Sequence, residues 1–183
     1  MLTFFTAGES HGRGIFAFLD GIPAGLNISK EIIDNDLARR QMGYGRGGRM
    51  KIEKDRVDVL SGIRGGLTLG SPVLLAVWNA DFENWKSYMD PFSIVPGKEL
   101  YTPRPGHADL PGAIRFGHKD LRNVLERASA RETAGRVAAG GFLRCLLSEL
   151  GIKVYGHVTG IGKVKFDGAF DMEKRDASSV FCP

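Results

Sequence analysis

Apolar positions recur along the chain in short runs or in alternation with polar ones at residues 2–7, 14–20, 57–61, 67–69, 73–78, 113–116 and 153–159. Each run is rich in β-branched or aromatic residues, and the pattern predicts a strand at each. In the second, Phe16 and Phe18 point one way and Ala17 and Leu19 the other. A strand apolar on both sides is expected to be central in its sheet. The turn Asp20-Gly21-Ile22-Pro23 closes it.

The period lengthens in two places. Ser29 is a good N-cap, Glu31 suits a first turn, and Ile32, Ile33 and Leu37 form a stripe. Arg39 and Arg40 fill the last turn before Gly43 stops the helix. A second helix is expected from about Asp120 to Leu150. Its stripe is Leu121, Val124, Leu125 and Ala128, then Val137, Ala138, Phe142, Leu146 and Leu150, with a polar gap between the halves. Gly135, Gly140 and Gly141 each cost such a helix roughly 1 kcal/mol relative to alanine, which predicts a break or a close backbone contact there. Residues 79–112 have no clear period. Their prolines and aromatics suggest an ordered functional loop.

Composition narrows the class without choosing the function. The 183 residues are 43% hydrophobic and 25% charged, as in an ordinary globular chain. Lysine and arginine outnumber the acids 25 to 21, a mild excess that admits polyanionic partners of either kind, nucleic acid or a phosphorylated metabolite. No apolar run nears the ~20 residues that cross a bilayer. With no secretory signal and two isolated cysteines, Cys145 and Cys182, the expected setting is the cytoplasm with free thiols. His11, His107, His118 and His157 have no metal-ligand spacing, so no metal site is expected. His118 and His157 are read as structural. The apolar ending Val180-Phe181-Cys182-Pro183 is expected to be an interruption of a longer chain.

Three clusters carry candidate chemistry. Gly8-Glu9-Ser10-His11-Gly12 follows the first strand and sets an imidazole, able to titrate near neutrality, among glycines and polar neighbours. The run from Arg39 to Lys51 holds four arginines and four glycines. It suits a multiply charged anion, with a disordered nucleic-acid-binding segment and a solvated basic loop as the other readings. In the second helix Arg127 and Arg131 lie four apart with Ser129 between them. Glu132 can pair with Arg136, leaving Arg131 free for a ligand, or the group is a surface charge cluster. Arg104-Pro105-Gly106-His107-Ala108-Asp109 adds a turn that presents His107.

In order and without a gap, these segments resemble the chorismate synthase family, together with Leu60-Ser61-Gly62-Ile63-Arg64, Gly70-Ser71-Pro72 and the helix motif running from Glu126 to Thr133. The resemblance implies an α+β fold, a sandwich with helices packed between antiparallel sheets. Here it would be a single domain over residues 1–183, incomplete at the C-terminus because the chain resembles the N-terminal half of the family's.

The implied reaction is 1,4-anti elimination of phosphate from 5-enolpyruvylshikimate 3-phosphate to chorismate, in aromatic amino-acid biosynthesis, with reduced FMN and no net redox change. By position, His11 would be the acid near the departing phosphate and His107 would protonate the reduced flavin. Ser10, Arg40, Arg46, Arg49, Arg104 and Arg131 would hold the substrate, and Arg127, Ala128 and Ser129 the FMN.

In bifunctional relatives a nicotinamide cofactor reduces the flavin. NADPH would then be the source of reducing equivalents, with Arg40 and Arg46 as its contacts, although the sequence shows no module for it. The implied partners are a small phosphorylated acid and three further copies in a homotetramer of the full-length protein, with neither nucleic acid nor membrane. The 183 residues alone are expected to be inactive. An FMN-dependent oxidoreductase, or an anion- or nucleic-acid-binding module built on the Gly-Arg box, are the alternatives.

Overall fold

A computed structural model describes residues 1–42, 52–166 and 168. Its centre is a four-stranded antiparallel sheet of β1 (Thr3–Ala7), β2 (Gly14–Asp20), β3 (Asp58–Ser61) and β6 (Val73–Trp78), in the order β1-β2-β6-β3. Between β3 and β6 a small hairpin forms from β4 (Ile63–Arg64) and β5 (Leu67–Thr68). Residues 63 and 64 lay outside the runs picked from the pattern.

The register sets which side chains share a face. Ala17 pairs with Leu75 and Leu19 with Val73, so the odd residues of β2 and β6 point together. Ile15, Ala17, Leu19, Val73, Leu75 and Val77 are all buried on that side. Against them pack helix α1 (Lys30–Gln41) and the long helix α5 (Thr133–Glu149), contributing Ile33, Leu37, Ala134, Ala138, Phe142 and Cys145. The molecule is therefore α+β, with β2 central as expected. Its even face is less covered, since Phe18 remains 38% and Trp78 46% exposed. Among the described residues the second sheet layer of a sandwich is not present. Cys145 is a free, buried thiol.

α1 is built as its sequence indicates. Ser29 Oγ accepts from the Ile32 N–H, and Arg39 and Arg40 occupy the last turn. The helix ends at Met42, which turns extended. Three polar contacts then tie α1 to the segment that leads into β3. Asp34 accepts from the Val57 N–H at 2.8 Å, and the Gln41 side chain bonds both the Asp55 N–H and the Glu53 carbonyl.

The single helix expected over residues 120–150 is two. Helix α4 (Arg122–Ala128) stops at Ser129, whose backbone is extended at φ −68°, ψ 151°. A 3₁₀ turn (Ala130–Glu132) then leads into α5. Ser129 Oγ accepts from the Arg131 N–H and restarts the helix. The break falls in the polar gap of the stripe, not at the glycines. A Cβ on Gly135 would stand 2.9 Å from the Ile15 side chain and 3.1 Å from the Phe16 carbonyl. On Gly141 it would stand 2.9 Å from Ile33 Cα. These two glycines let α5 approach the sheet and α1 at backbone distance.

Two strand expectations are corrected. Residues 113–116 close helix α3 (Asp109–Phe116), which Gly117 ends with φ +70°. Residues 153–159 form no strand, and only the short hairpin of β7 (Gly160–Ile161) and β8 (Val164–Lys165) follows. Within residues 79–112 a one-turn helix α2 (Phe82–Trp85) forms.

The glycines of α5 separate backbone propensity from packing. A Cβ on Gly140 meets nothing within 4 Å. Gly140→Ala is expected to raise stability by about 0.5–1 kcal/mol through propensity alone. Gly141→Ala must push α1 away and is expected to cost about 1–3 kcal/mol. Urea unfolding of the two variants checks the pair, and equal effects would contradict the packing account.

Candidate active site

His11 sits in the turn between β1 and β2. Gly8 opens that turn at φ +99°, where a Cβ would collide with the Gly14 carbonyl, so only glycine lets the chain leave β1 at this angle. The turn is then pinned from two sides. Asn79, just beyond β6, donates through Nδ2 to the carbonyls of Glu9 (3.1 Å) and Gly12 (2.7 Å). Glu126 in α4 accepts the Ser10 N–H on its backbone carbonyl and the His11 N–H on Oε2, each at 2.8 Å.

The Glu126 carboxylate also faces the ring of His11, with Nδ1 at 2.9 Å from Oε1 and 3.0 Å from Oε2. Burial opposes ionisation of Glu126. The hydrogen bonds from the His11 ring and backbone, and Arg122 one turn earlier in α4, outweigh it and hold the carboxyl below its ordinary range. On the other side the Trp85 ring stacks on His11 at 3.9 Å between centroids.

Beneath the turn lies a buried ion network. Asp55 is fully buried, and its two oxygens receive Arg131 Nη1 at 2.5 Å and Arg40 Nη1 at 3.0 Å. Arg131, 3% exposed, also donates to Asn79 Oδ1 (2.7 Å) and the Trp78 carbonyl (3.0 Å), and lies 3.6 Å from Glu53. Arg40 also donates to the Thr133 hydroxyl and the Ala130 carbonyl. Arg131 is therefore not free for a ligand: Ser129 breaks the helix and turns it inward onto Asp55, although Glu132 and Arg136 do pair, at 3.0 Å. Above this network, Arg39 and Arg40 line a 660 Å³ groove between α1 and α5 with Arg136 and Arg144.

The third cluster forms as a turn at the start of α3. Arg104 makes a two-pronged contact to Asp109, at 2.8 and 2.9 Å, and its backbone N–H adds a third bond at 3.0 Å. His107 Nδ1 lies 2.9 Å from Asp109 and 2.8 Å from Arg104 Nη2. Hydrogen bonds from Arg104, joined by His107, hold the buried Asp109 carboxyl far below the usual carboxylate range.

Next to it, α3 and α4 enclose a 510 Å³ pocket lined largely by apolar groups, among them Gly112, Phe116, Val124 and Ala128, with Arg127 at its wall. Arg127 Nη2 is held by the Thr6 carbonyl and hydroxyl, while its Nη1 is shielded from solvent with no partner among the described residues.

The family model described as chorismate synthase matches residues 2–183. The chain belongs to the chorismate synthase family. It is 54% identical to the chorismate synthase of Carboxydothermus hydrogenoformans over all of its own length and 49% of that relative's. It is 58% identical to the Aquifex aeolicus chorismate synthase, over 88% of this chain and 41% of that one. A crystal structure of chorismate synthase aligns with a TM-score of 0.69 and 43% identity, covering 96% of this chain and 41% of that one. The chain thus spans about half the length of the curated relatives it matches.

Of the family positions named from sequence, Ser10 and His11 share the β1–β2 turn, Arg104 and His107 share the α3 turn, and Arg127 and Ala128 line the pocket between α3 and α4. Ser129 does not line it; its hydroxyl caps the 3₁₀ turn. Arg46 and Arg49 lie outside the described residues. His118, read as structural, is exposed on the wall of the same pocket. The sequence reading missed Glu126, Asp55, Asn79 and Trp85. None has a spacing that signals its role, because each acts on residues far away along the chain.

Asp109 generates a pH prediction. Its folded-state pKa lies below the unfolded value, near 3.9, so the folded state binds fewer protons. The stability this contributes is complete above about pH 5 and is lost as pH falls through the acid range. Asp109→Asn is expected to unfold more readily at neutral pH and to lose less further stability between pH 5 and 3. Urea midpoints measured across that range test it, and parallel pH profiles for the two proteins would count against it.

Proposed function

We propose that the protein to which this chain belongs is a chorismate synthase in action as well as family, eliminating phosphate from 5-enolpyruvylshikimate 3-phosphate with reduced FMN. The observation that carries the proposal is the His11 turn. The family match covers it, and the structure holds its imidazole by one edge while leaving the side chain 19% exposed.

In the reaction the C–O bond to phosphate breaks, its electron pair leaves with the phosphate, and a proton is lost from the carbon at the far end of the 1,4 relationship. His11 is suited to donate a proton to the departing phosphate oxygen, because its Nδ1 edge is committed to Glu126 and its Nε2 edge is not. Ser10, 2% exposed, stiffens the same turn. Arg46 and Arg49, with Arg104, would supply cationic partners for a substrate bearing a phosphate and two carboxylates, while Arg40 is held by Asp55 and braces them from the end of α1. Arg131 acts from beneath, holding Asn79 and through it the turn.

The pocket between α3 and α4 suits a flavin, because its lining is largely apolar and Arg127 Nη1, without a partner among the described residues, is a donor for a flavin carbonyl or phosphate. A bound reduced FMN would supply electron density for C–O cleavage without net redox change, with Arg127 and Ala128 as the residues that would hold it. His107, held by Asp109 next to the pocket-lining Ala108, would hold or deliver a proton for the flavin. NADPH as reductant, a homotetramer and a cytoplasmic setting belong to the same proposal.

The test is anaerobic turnover of the full-length protein with reduced FMN. Chorismate and phosphate should appear in equal amounts without net flavin oxidation. Stoichiometric flavin oxidation would indicate an oxidoreductase, and polynucleotide binding without turnover a binding module. His11→Ala and His107→Ala are each expected to lower kcat by roughly 10²–10⁴-fold, with smaller changes in substrate and FMN affinity. Near-normal turnover would remove that residue from the chemistry.

A further inference from the structure

Both histidines of the site have a buried carboxylate at Nδ1, but the two arrangements differ in what they dictate. His107 Nδ1 lies between a donor, Arg104 Nη2 at 2.8 Å, and an acceptor, Asp109 Oδ1 at 2.9 Å. Either neutral tautomer satisfies one of them. Among the described residues, His11 Nδ1 meets only the two oxygens of Glu126, at 2.9 and 3.0 Å. An ionised carboxylate accepts and never donates, so this nitrogen must carry the hydrogen.

The carboxylate is itself fixed. Glu126 is 3% exposed, Arg122 Nη1 holds Oε1 at 3.1 Å, and Oε2 takes the backbone N–H of His11. The opposing wall is fixed as well. The Trp85 ring on His11 carries Lys98 Nζ at 4.9 Å and the Arg122 guanidinium at 5.1 Å from its centroid. Arg122 thus braces both the acceptor and the stacking partner of one imidazole.

We propose that Glu126 is the positioning residue of His11, imposing the Nδ1–H tautomer so that Nε2 is the nitrogen that meets the substrate. The proposal rests on the reading of His11 as proton donor. As the imidazolium, His11 keeps one N–H on Glu126 and presents the other. Transfer breaks the Nε2–H bond and forms an O–H bond on the leaving phosphate, and the neutral ring that remains is already the tautomer Glu126 holds. Nε2 is then ready to take up the next proton without ring rotation.

Glu126→Gln keeps the size but not the symmetry. Whichever way the amide turns, its NH₂ replaces an oxygen that now accepts, from the His11 backbone N–H at Oε2 or from Arg122 at Oε1, and an NH₂ turned to Nδ1 favours the opposite tautomer. In full-length protein labelled with ¹⁵N-histidine, neutral His11 is expected to show protonated Nδ1 and bare Nε2 in the wild type, reversed in Glu126→Gln. The variant is expected to lose about 10²–10⁴-fold in kcat with substrate KM within about threefold.

A wild-type spectrum with the proton on Nε2 overturns the proposal, and this measurement stands even if the variant does not fold. A folded variant with the wild-type tautomer and kcat within twofold, whatever its Tm, overturns it too. Protonated Nδ1 in a full-length protein that makes no chorismate would refute the proposed reaction and leave the positioning role intact.

Discussion

The site depends on one buried carboxylate, Asp55, shared between two guanidiniums. Arg40 reaches it from the last turn of α1 and Arg131 from the 3₁₀ turn ahead of α5, so a single acid joins the segment before β3 to both helices. Arg131 then extends the connection through Asn79 to the carbonyls of Glu9 and Gly12, which frame the turn of His11. Removing one member would leave its partners charged in a desolvated interior, a loss of about 3–5 kcal/mol. An apolar substitute of the same volume could match the stability of such a network. It could not reproduce its directionality, because only hydrogen-bonded polar groups specify the height and rotation of a turn that carries chemistry.

Glu126 plays the corresponding part on the other side of the turn. Its backbone carbonyl holds Ser10 while its carboxylate holds His11, so one residue of α4 fixes two neighbouring residues of the turn. That double role explains why α4 must end where it does. Were the helix continuous through Ser129, Arg127 and Arg131 would share a face, and both could not reach the groups they now bond: Thr6 for the first, Asp55 and Asn79 for the second. The kink distributes adjacent arginines between the pocket wall and the buried network.

Local pattern made the scaffold legible and left its joins hidden. The strands of the main sheet and the capped helix α1 follow from features within a few residues. Residues 113–116 misled because Ala113, Ile114 and Phe116 look like a strand in isolation. Their context, with Asp109 in the first turn and Gly117 as the left-handed stop, is that of a helix, and Ile114 and Phe116 stand 74% and 64% exposed. Residues 153–159 misled for a different reason. Val154 and Val158 are 66% and 59% exposed, so their apolar character reports no burial among the described residues. In the site, His11 and His107 were legible because glycines and polar neighbours mark them locally. Glu126 lies 115 positions from His11, and Asp55 76 positions from Arg131. No spacing rule spans such distances, and only the fold makes them neighbours.

The same contrast between local and distant control separates the two histidines chemically. Arg104, His107 and Asp109 lie within one turn, and their geometry is set by Gly106 at φ +70° and the start of α3. The partners of this unit are local, and its imidazole keeps a choice of tautomer between an arginine and an aspartate. His11 takes its partners from α4 and from α2, which bears Trp85, so the proposed tautomer is defined only once α4 is bonded to the turn between β1 and β2. A proton donor that must return to the same state in every cycle gains from a distant, rigid acceptor. A residue that exchanges protons with a cofactor edge gains from an adjustable one. The fold supplies each kind of control at the histidine whose proposed task calls for it.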